Sequence, residues 1–103
     1  MRIFAIGRRN PNRPPEDFAE HSVAEVKTVF GLIADGLVRE IYSMADGGGA
    51  VLVCEADSVE AAREALADLP FYQNGLLDIE FVPVVGYRDQ LDPWGDLEMA
   101  IHH

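Results

Sequence analysis

Two short runs, Ile3-Phe4-Ala5-Ile6 and Ala50-Val51-Leu52-Val53-Cys54, are apolar at every position. A strand with one wet face alternates apolar and polar residues. A strand apolar on both faces belongs in the middle of a covered sheet. Neither run approaches the length of a membrane span. The sequence therefore predicts two central strands, over residues 2–7 and 50–54, and everything else must be arranged around them.

Two further segments read as strands but carry polar residues. Leu37 to Met44 interleaves Arg39, Glu40 and Ser43, and Leu76 to Val85 contains charges and Pro83. Charges and a proline suit sheet edges. Asp46-Gly47-Gly48-Gly49 between the second and third strands reads as a hairpin turn.

Two helices fill the gaps. Pro15-Glu16-Asp17 places proline and acids in a first turn, where both are favoured. The pattern runs to about Asp35, and Gly36 is a natural stop. Ala19, Val23, Val26, Phe30 and Ile33 form its apolar stripe, widened on one side by Phe18 and Val29. The second helix spans about 58–68. Asp57 is its expected cap, Glu60 the residue reaching back, and Pro70 its stop.

The order strand, helix, strand, strand, helix, strand, with apolar strands central, predicts an α+β fold. It is a ferredoxin-like βαββαβ arrangement with a four-stranded antiparallel sheet and both helices on one face. The other face still carries apolar residues and needs a cover. A second copy packed sheet to sheet supplies it, so a homodimer or higher oligomer is expected. The 103 residues suit one domain, residues 1–88. Residues 89–103 read as a C-terminal tail that reaches onto a partner subunit or closes a pocket. The first helix, at 1.5 Å per residue, is roughly 30 Å long against strands of roughly 20 Å. It is expected to overhang the sheet and open a pocket beneath it.

Composition narrows the function. Eighteen acidic residues against eight basic ones give a formal charge of −10. Such a surface repels phosphate backbones, which disfavours nucleic acid and anionic membranes as partners. The start of the chain reads as a strand rather than a signal peptide. The single cysteine, Cys54, cannot form an internal disulfide, and a reducing cytoplasm is the expected location. Cys54 reads as core filling. The three histidines lack ligand spacing, so no metal site is expected. The Gly47-Gly48-Gly49 run precedes a strand, not the helix that a phosphate loop needs.

Leu69-Pro70-Phe71, followed by Asp78-Ile79-Glu80-Phe81-Val82-Pro83, resembles the closing segment of the muconolactone isomerases and their relatives. The resemblance extends in element order over roughly residues 1–85. It implies the dimeric α+β barrel superfamily, a ferredoxin-like domain paired with a second copy. That superfamily hosts isomerases, cyclases, cofactor-free oxygenases, and dehalogenating or decarboxylating enzymes.

Several residues are candidates for chemistry. On the first helix the apolar arc runs from roughly 220° round to 60°, taking Ala19 as zero. Glu25 sits at its shoulder and His21 just outside, one turn away. A pair at i and i+4 can touch, the carboxylate raising the imidazole pKa and burial raising the carboxyl pKa. The same pair also fits a solvated helix face without a role. Arg8, Arg9 and Arg13 cluster before the helix and suit a small anionic ligand, or ion pairs. On the second strand, Arg39 shares a face with Leu37 and Ile41, and Tyr42 with Val38 and Met44. Tyr42 suits a developing oxyanion, or is an edge aromatic with a wet tip. Phe18 and Tyr72 suit the wall of a substrate site, or a core.

Three functions remain open. The first is a cofactor-independent isomerase or cyclase that moves a proton on an unsaturated or aromatic carbonyl compound. Its catalytic residues are His21, Glu25 and Tyr42, and its substrate-binding residues are Arg9, Arg39, Phe18 and Tyr72. The others are a non-catalytic dimeric ligand-binding or accessory module and a cofactor-free oxygenase.

Overall fold

The computed structural model describes residues 1–87. The tail assigned to residues 89–103 lies outside the described residues. Strands β1 (Arg2–Arg9), β2 (Val38–Ser43), β3 (Gly49–Glu55) and β4 (Leu77–Val84) alternate with helices α1 (Pro15–Ala34), α2 (Val59–Leu66) and α3 (Pro70–Gln73). The sheet order is β2-β3-β1-β4 and every neighbouring pair is antiparallel. The two apolar strands are central and the two charged strands are edges, as their sequences require. Among the described residues no helix is long and apolar enough to cross a membrane.

The core lies between the helices and one sheet face. Ile3, Val38, Cys54, Leu66, Leu69 and Leu76 are completely or almost completely buried. Val29 and Leu32 of α1, and Ile79 and Phe81 of β4, pack against this cluster. Cys54 is part of it, and burial pushes its thiol up to about 11, which keeps it protonated and inert.

The helix ends correct two sequence expectations. The cap of α2 is Ser58, not Asp57: its Oγ accepts from the Ala61 amide at 3.0 Å. Pro70 does more than stop α2, which already ends at Leu66. It stands at the start of the four-residue helix α3, where a missing N–H costs nothing. The C-terminus of α1 matches its expected stop. Gly36 has φ +82°, its N–H reaches the Ile33 carbonyl and the Leu37 N–H reaches the Leu32 carbonyl. That double closure is a Schellman motif.

A β-bulge changes the faces of β2. Val38 opposes Cys54 and Glu40 opposes Val53, so Arg39 is an extra residue. Unbroken alternation puts Val38 and Tyr42 on one face. The bulge instead leaves Val38, Ile41 and Ser43 on the helix side and sends Glu40 and Tyr42 to the open face. The open face has an apolar centre of Phe4, Ile6, Val51, Val53 and Val82, with ion pairs toward its ends. These are Arg2 with Glu55 at 2.9 Å and Arg8 with Glu80 at 3.1 Å. The Arg2 hydrogen bond holds Glu55 below the usual carboxylate range.

Gly49 begins β3 where it meets β1. A Cβ there would overlap the Gly7 carbonyl, which is rigid backbone in the central strand, and the residue has φ +156°. Gly49→Ala is expected to cost about 1–3 kcal/mol of stability through this overlap, read as a lowered urea midpoint.

Candidate active site

The sheet is uneven beneath α1. One end presents Ile3, Val38 and Cys54, which fill the space under the helices. The other end presents Ala5, Gly7, Ala50 and Ser43 on the same face. Side chains this small leave a void where the helix bridges them. A cavity of about 350 Å³ lies there, roofed by Glu25, Val26, Val29, Phe30 and Ile33 and bounded by Arg9, Leu69, Phe71 and Leu77. It sits over the sheet itself. Small residues, rather than helix overhang, create it.

The orientation of α1 differs from the expected stripe. Phe18 and Glu25 are its buried residues, while Val23 and Phe30 remain 68% and 64% exposed. The apolar arc is wider than the face the sheet covers. Burial takes the side that includes Phe18 and Val29; Val26, Phe30 and Ile33 form the outer cavity wall, and Val23 faces solvent. Among the described residues three polar side chains line the cavity: Arg9, Glu25 and Ser43.

Glu25 is 9% exposed. Its Oε1 accepts from the Phe71 amide at 2.9 Å. Burial pushes its carboxyl above the ordinary 4.5, and the amide bond only partly opposes the shift. A carboxyl desolvated in this way is easily kept protonated and is a stronger base once ionised. The Phe71 amide was not legible in the sequence. Its one signal was Pro70, which fits a helix start as well as a helix stop.

Arg9 ends β1 at the mouth of the cavity. Its guanidinium carbon lies 4.8 Å from the centre of the Phe18 ring. Phe18 in turn meets Phe71 edge-on, with centroids 5.4 Å apart. Among the described residues Arg9 has no carboxylate partner within 4.0 Å, whereas Arg2, Arg8 and Arg13 each have one. The structure thus brings Arg9 and Glu25 to the lining of one cavity, with Phe18 packed behind Arg9 and Phe71 rather than in the lining.

The other proposed site residues lie elsewhere. His21 is half-buried on α1 one turn before Glu25. It does not line the cavity, and no hydrogen bond or ion pair joins it to Glu25 among the described residues. Tyr42 is on the opposite sheet face, where its hydroxyl donates to the Glu40 carboxylate. That bond raises its pKa. Arg39, at the bulge, is exposed and donates from Nε to the Gly36 carbonyl at 2.8 Å. Tyr72 is half-buried against the core cluster. Ser43 and Gly7 line the cavity and were not among the candidates.

A larger groove of about 640 Å³ runs along the end of β1 and β4, past Arg8, Asn10 and Glu80. It is more polar, and its Arg8 is already paired with Glu80. The more apolar cavity, lined by a buried carboxyl, is the stronger candidate for chemistry.

The Glu25 environment has a consequence for stability. A raised carboxyl pKa favours the folded state fully below 4.5, and this contribution is lost as pH rises through the folded value. Glu25→Gln keeps an oxygen for the Phe71 amide but cannot ionise. It is expected to be more stable than the parent at pH 7, by a margin that shrinks as pH falls toward 4. Urea unfolding of both proteins between pH 4 and 8 measures this.

No protein-family model matches the chain, and no curated protein sequence matches it. Solved structures do. One is 5-chloro-2-hydroxyhydroquinone dehydrochlorinase from Burkholderia phenoliruptrix AC1100 in complex with 2,5-dihydroxybenzoquinone. It is similar with a TM-score of 0.70 and 15% identity, over 86% of this chain and 98% of that one. A muconolactone isomerase is similar with a TM-score of 0.70 and 20% identity, over 88% of this chain and 95% of that one. The strand order, the two layers and both likenesses agree: this chain has the muconolactone isomerase-like α+β fold.

Proposed function

We propose that this protein is a cofactor-independent enzyme that moves a proton on a small unsaturated carbonyl compound, with Glu25 as the acid–base group. One observation carries the reading: a buried carboxyl, held by the Phe71 amide, lines a mostly apolar cavity. In its ionised form Glu25 takes a proton from carbon beside or conjugated to a carbonyl. The electron pair moves into the π-system as an enolate. The protonated Glu25 then returns the proton at another carbon, so the carboxylate is regenerated and the double bond has moved. General acid–base steps of this kind contribute about 10²–10⁴-fold.

The similar structures support the same class of chemistry. One is named for loss of hydrogen chloride and the other for isomerisation, and both names fit chemistry in which a proton is moved. Arg9 binds the substrate at the Glu25 end in this reading, with Phe18 packed behind it. His21, one turn from Glu25, is a group through which the proton exchanges with solvent. Tyr42 and Arg39, away from the cavity, have no part in the step within one protomer. We also propose that a second copy covers the open sheet face through Phe4, Ile6, Val51 and Val82.

With muconolactone and 5-chloro-2-hydroxyhydroquinone as test substrates, Glu25→Gln is expected to lower kcat by about 10²-fold or more. His21→Ala is expected to lower it by about tenfold at most. Turnover undiminished in Glu25→Gln removes Glu25 from the mechanism. A chain that binds these compounds without converting them is a binding module instead. Sedimentation of the parent protein at micromolar concentration is expected to give a dimer or larger assembly; a monomer rejects the sheet-face interface.

A further inference from the structure

We infer that Gly7 is a specificity-determining residue of the cavity: its missing Cβ leaves the place where one face of a flat, unsaturated ligand lies on the sheet. The inference rests on the proposed site but concerns the shape that fits there, not which group moves the proton. Gly7 is buried in the central strand β1, two residues before its end, with a strand on either side. Glycine is a costly residue there. It has no side chain to pack, and it loses more backbone freedom on folding than any other residue. A glycine inside a strand marks a bulge or bend, a close approach of another backbone, or a close approach of a ligand.

The first two do not apply. The pairing of β1 runs unshifted through Ile6, Gly7 and Arg8, to Val51, Ala50 and Gly49 on one side and to Glu80, Ile79 and Asp78 on the other. Gly7 is not among the glycines with positive φ. A Cβ on it would meet the Ala50 carbonyl at 3.6 Å, Leu77 Cδ1 at 3.6 Å and Ile79 Cγ1 at 3.9 Å, all ordinary contacts. Gly49 is the opposite case, since a Cβ there runs into the Gly7 carbonyl. The fold thus demands glycine at position 49 but not at position 7. What a Cβ on Gly7 would change is the cavity. Gly7, Ala50, Leu77 and Ile79 line it from the sheet, and Glu25 and Val29 line it from α1. A methyl group on Gly7 takes space from the ligand without disturbing the protein around it. The conjugated atoms of an unsaturated carbonyl compound are coplanar, so such a compound can lie on the strand where a puckered one cannot.

Tropone, a flat ring ketone, is the probe, and cycloheptanone, its saturated and puckered counterpart, is the comparison. Amide chemical shifts of the full chain are followed during titration with each. Tropone is expected to shift the Gly7 amide and to bind more tightly than cycloheptanone. Gly7→Ala is expected to keep or raise the urea midpoint, yet to weaken tropone about tenfold or more. Gly31→Ala on α1 is the control. A Cβ on Gly31 meets nothing within 4 Å outside its own helix backbone, and Gly31 does not line the cavity. That variant is expected to raise the urea midpoint and leave tropone binding unchanged. Glu25→Gln is expected to bind tropone as the parent does and to show the same loss when Gly7→Ala is added, so binding is judged separately from catalysis. The inference is overturned if tropone leaves the Gly7 amide unmoved, if cycloheptanone binds as tightly, if Gly7→Ala lowers the urea midpoint, or if Gly7→Ala leaves tropone affinity unchanged.

Discussion

Small side chains at one end of the sheet hold the site open. Ala5, Gly7, Ala50 and Ser43 form a floor that α1 crosses without touching closely, while Ile3, Val38 and Cys54 anchor the helix layer at the other end. Interiors pack to near-crystalline density, so a void of this size between two rigid elements is a built feature. It fixes where Glu25 points and how dry it is. With larger residues on the floor the carboxyl would have no room, and on a free helix face it would be solvated with an ordinary pKa.

The Phe71 amide ties this carboxyl to α3, and α3 is itself braced. Arg13 donates from Nη1 to the Asn74 carbonyl at 2.9 Å and from Nε to Asp17 at 3.0 Å. The Asn10 amide reaches the Leu76 carbonyl at 2.9 Å. The loop between β1 and α1 therefore clamps the turn that leads from α3 into β4. The polar end of the cavity is held by these bonds, whereas Val26, Phe30 and Ile33 at the other end are open to solvent. A rigid charged end and an exposed apolar end suit a site that orients one group of a ligand and admits its body from outside.

Parts of the site were legible in the sequence for definite reasons. Glu25 stood out because it lies on the shoulder of an apolar arc, where burial of a charge needs an explanation. Arg9 stood out because basic residues are scarce and three of them cluster before α1. Phe18 stood out as an aromatic suited to a substrate wall or a core, and it packs against Arg9 and Phe71. Tyr42 and Arg39 were assigned by alternation along β2, and the bulge at Arg39 breaks that alternation. An extra residue in one strand has no composition signal, so the faces of β2 were beyond reach. The Phe71 amide was hidden because a backbone donor has no side-chain identity to read.

The sequence by itself determined the order of elements, the central place of β1 and β3, and the edge place of β2 and β4. Apolar patterning decides those because a buried strand cannot carry charges on either face. It also determined that α1 carries an apolar arc wider than one sheet face can cover. Tertiary structure alone decided which part of that arc is buried, since helix rotation depends on the volumes packed beneath it. It also decided that the small residues of β1, β2 and β3 align into one floor, because register across strands far apart in the chain sets which side chains meet. The charged end of the cavity arises in the same way: Arg9, Glu25 and the Phe71 amide come from three separate elements, and only the packing of α1 and α3 against the sheet brings them together.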